Sequence, residues 1–227
     1  MAAKNLWIAT VLTGVSVLIL TGVIFPLFPQ EMAIPNGIDS PVIAFEFART
    51  QADLIAVFGE AGDPLRQIRV SAMEHGNRVD FAYMAAYSAF IALFFLSVHR
   101  KSQRRIWLLF AIIGLMAGIA DSIENMILFQ VTADLNIAEG LMWLAYPVHL
   151  KFLSLYICAF GVGYYLYGSK KKTVRLFGLL LQLLAPIAVI LLALGLASAA
   201  TLVITLAWLS QLVIAILEYR RIPTQQL

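Results

Sequence analysis

Residues 106–130 read IWLLFAIIGLMAGIADSIENMILFQ, and this stretch decides the fold. It exceeds the ~18 apolar residues that a bilayer-spanning helix needs. Yet it carries Asp121, Glu124 and Asn125 within little more than one turn. A carboxylate at membrane depth costs roughly 2.5 to 3.5 kcal/mol even on permissive insertion scales. Such a helix turns its acids toward protein partners or a water-filled cavity, never toward acyl chains.

The surrounding chain has the same character. Of 227 residues, 61% are hydrophobic and 13% charged, about half the charge of an ordinary soluble domain. The mean hydropathy of +0.87 agrees. The expected fold class is all-α, a polytopic integral membrane helix bundle forming a single domain. Six spans are predicted near 6–28, 79–98, 106–130, 141–168, 175–195 and 199–218. The first is longer than a signal-peptide core and lacks an A-x-A-like cleavage site, so it is read as a retained span.

The net charge of +3 does not indicate a nucleic-acid partner, because of where the bases lie. They gather in short segments: His99-Arg100-Lys101 with Arg104-Arg105, Lys170-Lys171-Lys172 with Arg175, and Arg220-Arg221. All three fall on one side of a six-span chain. The positive-inside rule makes that side cytoplasmic, with both termini, in what reads as a bacterial inner membrane. The opposite loop 131–140 contains Asp134 and Glu139 without a Lys or Arg. Trp7, Trp107 and Trp143 fall at span ends, as aromatic belt residues do. Trp208 falls near mid-span and reads as a core filler.

Loop 29–78 is the one large segment outside the spans. Ser40-Pro41 is a helix-start signal. From there an amphipathic helix over 41–60 is expected. Ile43, Phe47, Leu54 and Phe58 form its apolar stripe, and Glu46, Arg49, Thr50 and Asp53 its polar one. Asp63-Pro64 marks a second short helix toward Gly76. Asn77 then reads as the N-cap of the second span, with Asp80 at its third position. In the fifth span Gly178, Gln182 and Pro186 share a face, read as a packing seam with an interhelical amide bond.

Depth and facing gather the polar residues. At ~1.5 Å per residue, Glu124 and Asp121 lie ~9 and ~13 Å below the outer boundary. His149 and Lys151 of the next span lie ~12 and ~15 Å deep. Tyr83 and Tyr87 reach similar levels, below Asp80. Asp121, Glu124, Asn125 and Leu128 share a helix face with Gly114 and Gly118, whose small size admits another backbone. His149 and Lys151 are two residues apart and point in roughly opposite directions. The preferred pairing is Lys151 with Asp121, since an unpaired charge there is untenable.

The candidate ligand-binding set is therefore Asp80, Tyr83, Tyr87, Asp121, Glu124, Asn125, His149 and Lys151. Were the protein an enzyme, Asp121, Glu124 and His149 would be its catalytic groups. No metal site and no cofactor is expected. The three histidines lie at different membrane levels, no P-loop or dinucleotide fingerprint occurs, and the single Cys158 excludes a CxxC pair. The expected function is an outward-opening site, between the second, third and fourth spans, that binds or moves a small ligand, cation or proton. The alternatives are an acid–base enzyme acting on a lipid or isoprenoid, or an accessory subunit of a membrane complex. Expected partners are the lipid bilayer, a small molecule, lipid or cation, and a second copy or another membrane subunit.

Overall fold

The computed structural model describes residues 3–34, 38, 40–135 and 139–222; the side chains of residues 3, 139, 140 and 198 are not included. The bundle is all-α, with no strand among the described residues. Its helices are α1 (Ala3–Ile24), α2 (Pro41–Glu46), α3 (Gln51–Phe58), α4 (Arg66–Ser102), α5 (Ile106–Ala133), α6 (Glu139–Tyr167), α7 (Lys172–Ala193) and α8 (Ala197–Arg221). Among the described residues six are long and apolar enough to cross a membrane: α1 and α4 to α8. The protein is an integral membrane protein with charged residues buried among its spans.

Two of the expected segments, the second span and the insertion, depart from the expected boundaries. The second span does not begin near residue 79; α4 runs unbroken from Arg66. The separate helix expected after Asp63-Pro64 is its first part, projecting beyond the apolar segment. Asn77 is consequently no N-cap but a mid-helix residue, 1% exposed. The amphipathic insertion is also broken in two. Ser40 caps α2, accepting from the Ile43 amide, but the helix stops at Glu46. Thr50 and Asp53 then start α3 with a reciprocal capping box, each side chain taking the other's backbone N–H.

Turn chemistry explains the remaining connections. Gln103 adopts φ 56° in the three-residue link between α4 and α5. Gly195, at φ 78°, closes the α7–α8 hairpin. The Leu196 amide reaches back to the Leu191 carbonyl and the Gly195 amide to that of Leu192, a Schellman-type ending.

Close helix packing relies on glycine. A Cβ on Gly118 would collide with the Ser88 side chain, and one on Gly114 with Ile91, so α5 sits tightly on α4. A Cβ on Gly163 would lie 2.7 Å from the Gly178 carbonyl oxygen, which places the α6 and α7 backbones in contact. The expected seam is present at Gly178 and Gln182 but does not extend to Pro186, which is exposed, and Gln182 Nε2 donates to the Gly178 carbonyl of its own helix rather than across it.

At the end carrying the basic loops, ion pairs and aromatics fasten the bundle. Lys101 Nζ lies 2.8 Å from Glu218, which also takes Arg221 at 2.9 Å. Trp7 and Trp107 are turned inward, 2% and 3% exposed, against Phe94 and Phe95. They fill the core instead of forming a lipid-facing belt. Trp143, 61% exposed, faces outward.

Candidate functional site

Three spans and the insertion converge on Lys151. Its Nζ lies 3.2 Å from Asp121 Oδ1, 2.8 Å from Glu124 Oε2 and 3.1 Å from Glu46 Oε2. All four residues are buried, Glu124 completely. The pairing of Lys151 with Asp121 expected from depth is present, within a larger group. On the far side of Asp121, Tyr87 OH donates to Oδ2 at 2.7 Å. Asn125 Nδ2 donates to Asp80 Oδ2 at 3.0 Å and to the Asn77 carbonyl at 3.2 Å.

Helix periodicity accounts for this convergence. Asp121, Glu124 and Asn125 recur on the α5 face that also bears Gly114 and Gly118. Those glycines draw α5 onto the α4 face carrying Asn77, Asp80, Met84 and Tyr87. Lys151 reaches the same level from α6, which continues through Pro147 as a helix.

His149 is not brought into the cluster. It is exposed; its Nδ1–H meets the Ala145 carbonyl at 2.6 Å, and its ring stands edge-on to Phe47, 6.0 Å between centroids. The continuous helix preserves the roughly opposite directions of positions 149 and 151, so Lys151 points inward and His149 outward. Tyr83 is near the group but bonds elsewhere, with Thr21 Oγ1 3.5 Å from its hydroxyl.

Glu46 was not among the expected site residues. Its neighbours Arg49, Thr50 and Asp53 made a polar stripe that read as a water-facing surface. The break at 47–50 instead lets Glu46 fold under while Asp53 remains with solvent. Burial works against ionisation of Asp53, but the Arg49 amide, then the Thr50 hydroxyl and amide, outweigh it and hold the carboxyl below its usual range. Flanking Phe45 and Phe47 were the one local hint that position 46 is not simply exposed.

The cluster borders a cavity of about 520 Å³. At one end stand Glu46, Asn77, Asp80, Asp121, Asn125 and Lys151. Elsewhere the wall is mainly apolar, built from Phe90, Leu155, Ile204, Trp208 and Leu212 among others, with the hydroxyl-bearing Thr21, Thr201 and Thr205 interspersed. Trp208 was read as a filler; it stacks on Tyr87 at 5.3 Å and joins the wall to the polar end. The part of the wall formed by α1, the turn that follows it and α8 has outward-exposed residues. There Leu18, Phe25 and Leu209 line the space while remaining 50%, 62% and 45% exposed. Nearer the basic loops the two helices close up, with Lys4 over the Tyr219 ring at 5.6 Å and Gly14 against Leu212. The space is thus bounded by α1, α2, α4, α5, α6 and α8, not by the second to fourth spans alone, and α2 forms part of its wall.

Comparison of the chain with protein-family models, curated proteins and solved structures finds no match in any of the three. The site's own chemistry must carry the functional reading. Among the described residues no group of three or more His, Cys, Asp or Glu is arranged to hold a metal ion. The middle of the carboxyl group is filled by the Lys151 ammonium, a cation tethered by the protein itself.

Proposed function

We propose that this protein binds a membrane-dissolved amphiphile, taking its apolar body into the cavity and holding its polar end against the Lys151 cluster. One observation carries the reading: a cavity of about 520 Å³ with charged and amide groups at one end and mainly aromatic and aliphatic walls elsewhere. Ligand sites are typically concave, mainly apolar and fitted with a few placed polar groups. A polar network serving only to orient helices needs no such space. The exposed lining residues on α1 and α8 support admission from the side, out of the lipid. The positive-inside rule puts the basic loops and both termini in the cytoplasm, so the mouth faces the outer leaflet.

Acid–base chemistry on the bound molecule is a second reading, favoured by Tyr87, Asp121 and Lys151. They form one hydrogen-bonded chain, and all three border the cavity. A group poised to exchange protons must lie within hydrogen-bond reach of its target, and a ligand head at this end meets that condition.

Native mass spectrometry of the detergent-purified, delipidated protein, incubated with a total bacterial lipid extract, tests the binding reading. One adduct per chain is expected, lost when Leu155→Trp fills the cavity. Absence of any adduct, or adducts equally abundant on the filled variant, would remove it.

A further inference from the structure

Two buried polar atoms at the head of the cavity are left over by the protein's own bonding. Asn77 is 1% exposed and lines the cavity, yet its Nδ2 donates to nothing. Glu46 Oε2 is held by an ion pair with Lys151 Nζ at 3.1 Å, an ammonium that it shares with two other carboxylates. It takes no well-aligned hydrogen bond beyond that pair, so it keeps acceptor capacity to spare. Buried polar atoms are rarely left unsatisfied, so both call for a partner that supplies an acceptor and a donor.

The rest of the wall narrows what that partner is. Three carboxyls of the wall, those of Glu46, Asp80 and Asp121, stand with Glu124 behind them around the one ammonium of Lys151, which is already engaged by Glu46, Asp121 and Glu124. A phosphate head would bring further negative charge against this acidic surface and find no free cation in the wall. An ammonium head would suit the carboxyls but has no lone pair for Asn77. A hydroxyl both accepts and donates, and so satisfies both leftover atoms without adding charge.

Resting on the amphiphile-binding reading above, we infer that the ligand of this cavity is a long-chain or polycyclic alcohol, whose hydroxyl accepts from Asn77 and donates to Glu46. The apolar remainder lies along Phe90, Leu155 and Trp208.

The test uses three probes with one hydrocarbon chain: hexadecanol, hexadecylamine and hexadecyl phosphate, each titrated onto the purified full-length protein in detergent and read by native mass spectrometry. Hexadecanol is expected to bind at least about tenfold more tightly than the phosphate, and more tightly than the amine. A site built to hydrogen-bond a hydroxyl rejects analogues that leave its groups unpaired. In Asn77→Ala the preference for the alcohol over the amine should shrink about tenfold while the chain still binds. Should that variant fail to fold, the order among the three probes on the unaltered protein decides alone. If the phosphate or the amine binds best, or all three bind equally, the hydroxyl assignment is overturned and the amphiphile reading stands. If none binds, both fall.

Discussion

Lys151 Nζ lies 3.1 Å from Glu46 Oε2, so the buried base of α6 holds the insertion as well as the neighbouring span. Removing it leaves Asp121, Glu124 and Glu46 facing one another without the ammonium between them. Breaking a buried pair by deleting one partner costs roughly 3–5 kcal/mol, whereas replacing the whole group with apolar residues of similar volume is often neutral. We therefore expect Lys151→Met to lower the thermal midpoint in detergent sharply. Adding Asp121→Asn and Glu124→Gln to it should recover part of the loss. A Lys151→Met protein melting like the parent would mean the ammonium is not what holds these helices.

The same contact governs the insertion. With Glu46→Gln, α2 loses an ionic tie but keeps its Ser40 cap and its packing through Phe45, which is 0% exposed. Amide exchange over residues 41–58 should rise several-fold while the exchange of α5 stays put. Uniform exchange across both would show that apolar packing alone seats the insertion.

The spans were legible because length and apolarity are sufficient signals for a membrane helix. Gly114 and Gly118 were legible as a contact face for a similar reason: a small-residue pair has one common use in hydrocarbon. The beginning of α4 was not. Residues 66–80 mix Arg69, Glu74, His75 and Arg78 with apolar positions, and hydropathy is blind to a helix that leaves the membrane. Reading Asn77 as a cap followed from that error, and it hid a buried amide at the head of the cavity. Equal depth brought Lys151 and Asp121 together correctly, but depth says nothing about rotation, and so it could not reject His149. Glu46 depended on a helix break at 47–50 that no helical periodicity records. Trp208 belonged to α8, remote in sequence from every residue of the Lys151 cluster, and only tertiary packing sets it on Tyr87.

His149 tests the rotational argument. Its ring is exposed and touches Phe47, and no cluster residue bonds it. His149→Ala should change stability by less than about 0.5 kcal/mol, as surface substitutions usually do. It should leave ligand adducts in native mass spectra unaltered. A loss of binding equal to that of Asp121→Asn would place the imidazole in the site after all.

Glycines provide a paired comparison. Gly178 has backbone on three sides, with the Tyr167 nitrogen 2.5 Å from where a Cβ would stand, so the helices must part to admit it. Overpacking of this kind costs about 1–3 kcal/mol. Gly22 in α1 has nothing within 4 Å of the same position. There Ala should stabilise the helix by roughly 0.5–1 kcal/mol through reduced backbone entropy. Opposite shifts in the thermal midpoint for Gly178→Ala and Gly22→Ala are expected. Equal shifts would undo the assignment of Gly178 to a close backbone crossing.

Acidification should loosen α3 through its Asp53 carboxylate. The Asp53 carboxylate accepts from the Arg49 amide at 2.9 Å, the Thr50 amide at 2.8 Å and the Thr50 hydroxyl at 2.8 Å. Its folded value lies below the usual one of about 3.9. A lowered folded value means that the carboxylate's contribution is fully present above the unfolded value. It is lost as pH falls through the folded one. Exchange protection of α3, corrected for intrinsic rates, should thus hold from neutrality down to about pH 5 and decline below about pH 4. Asp53→Asn removes the titrating group, so its α3 protection should be lower at neutral pH, by the ~1 kcal/mol typical of a lost cap, and nearly flat on acidification. A parent protein whose α3 protection is unchanged well below pH 4 would show that packing of Leu54 and Phe58, not the cap, sets the local stability of this helix.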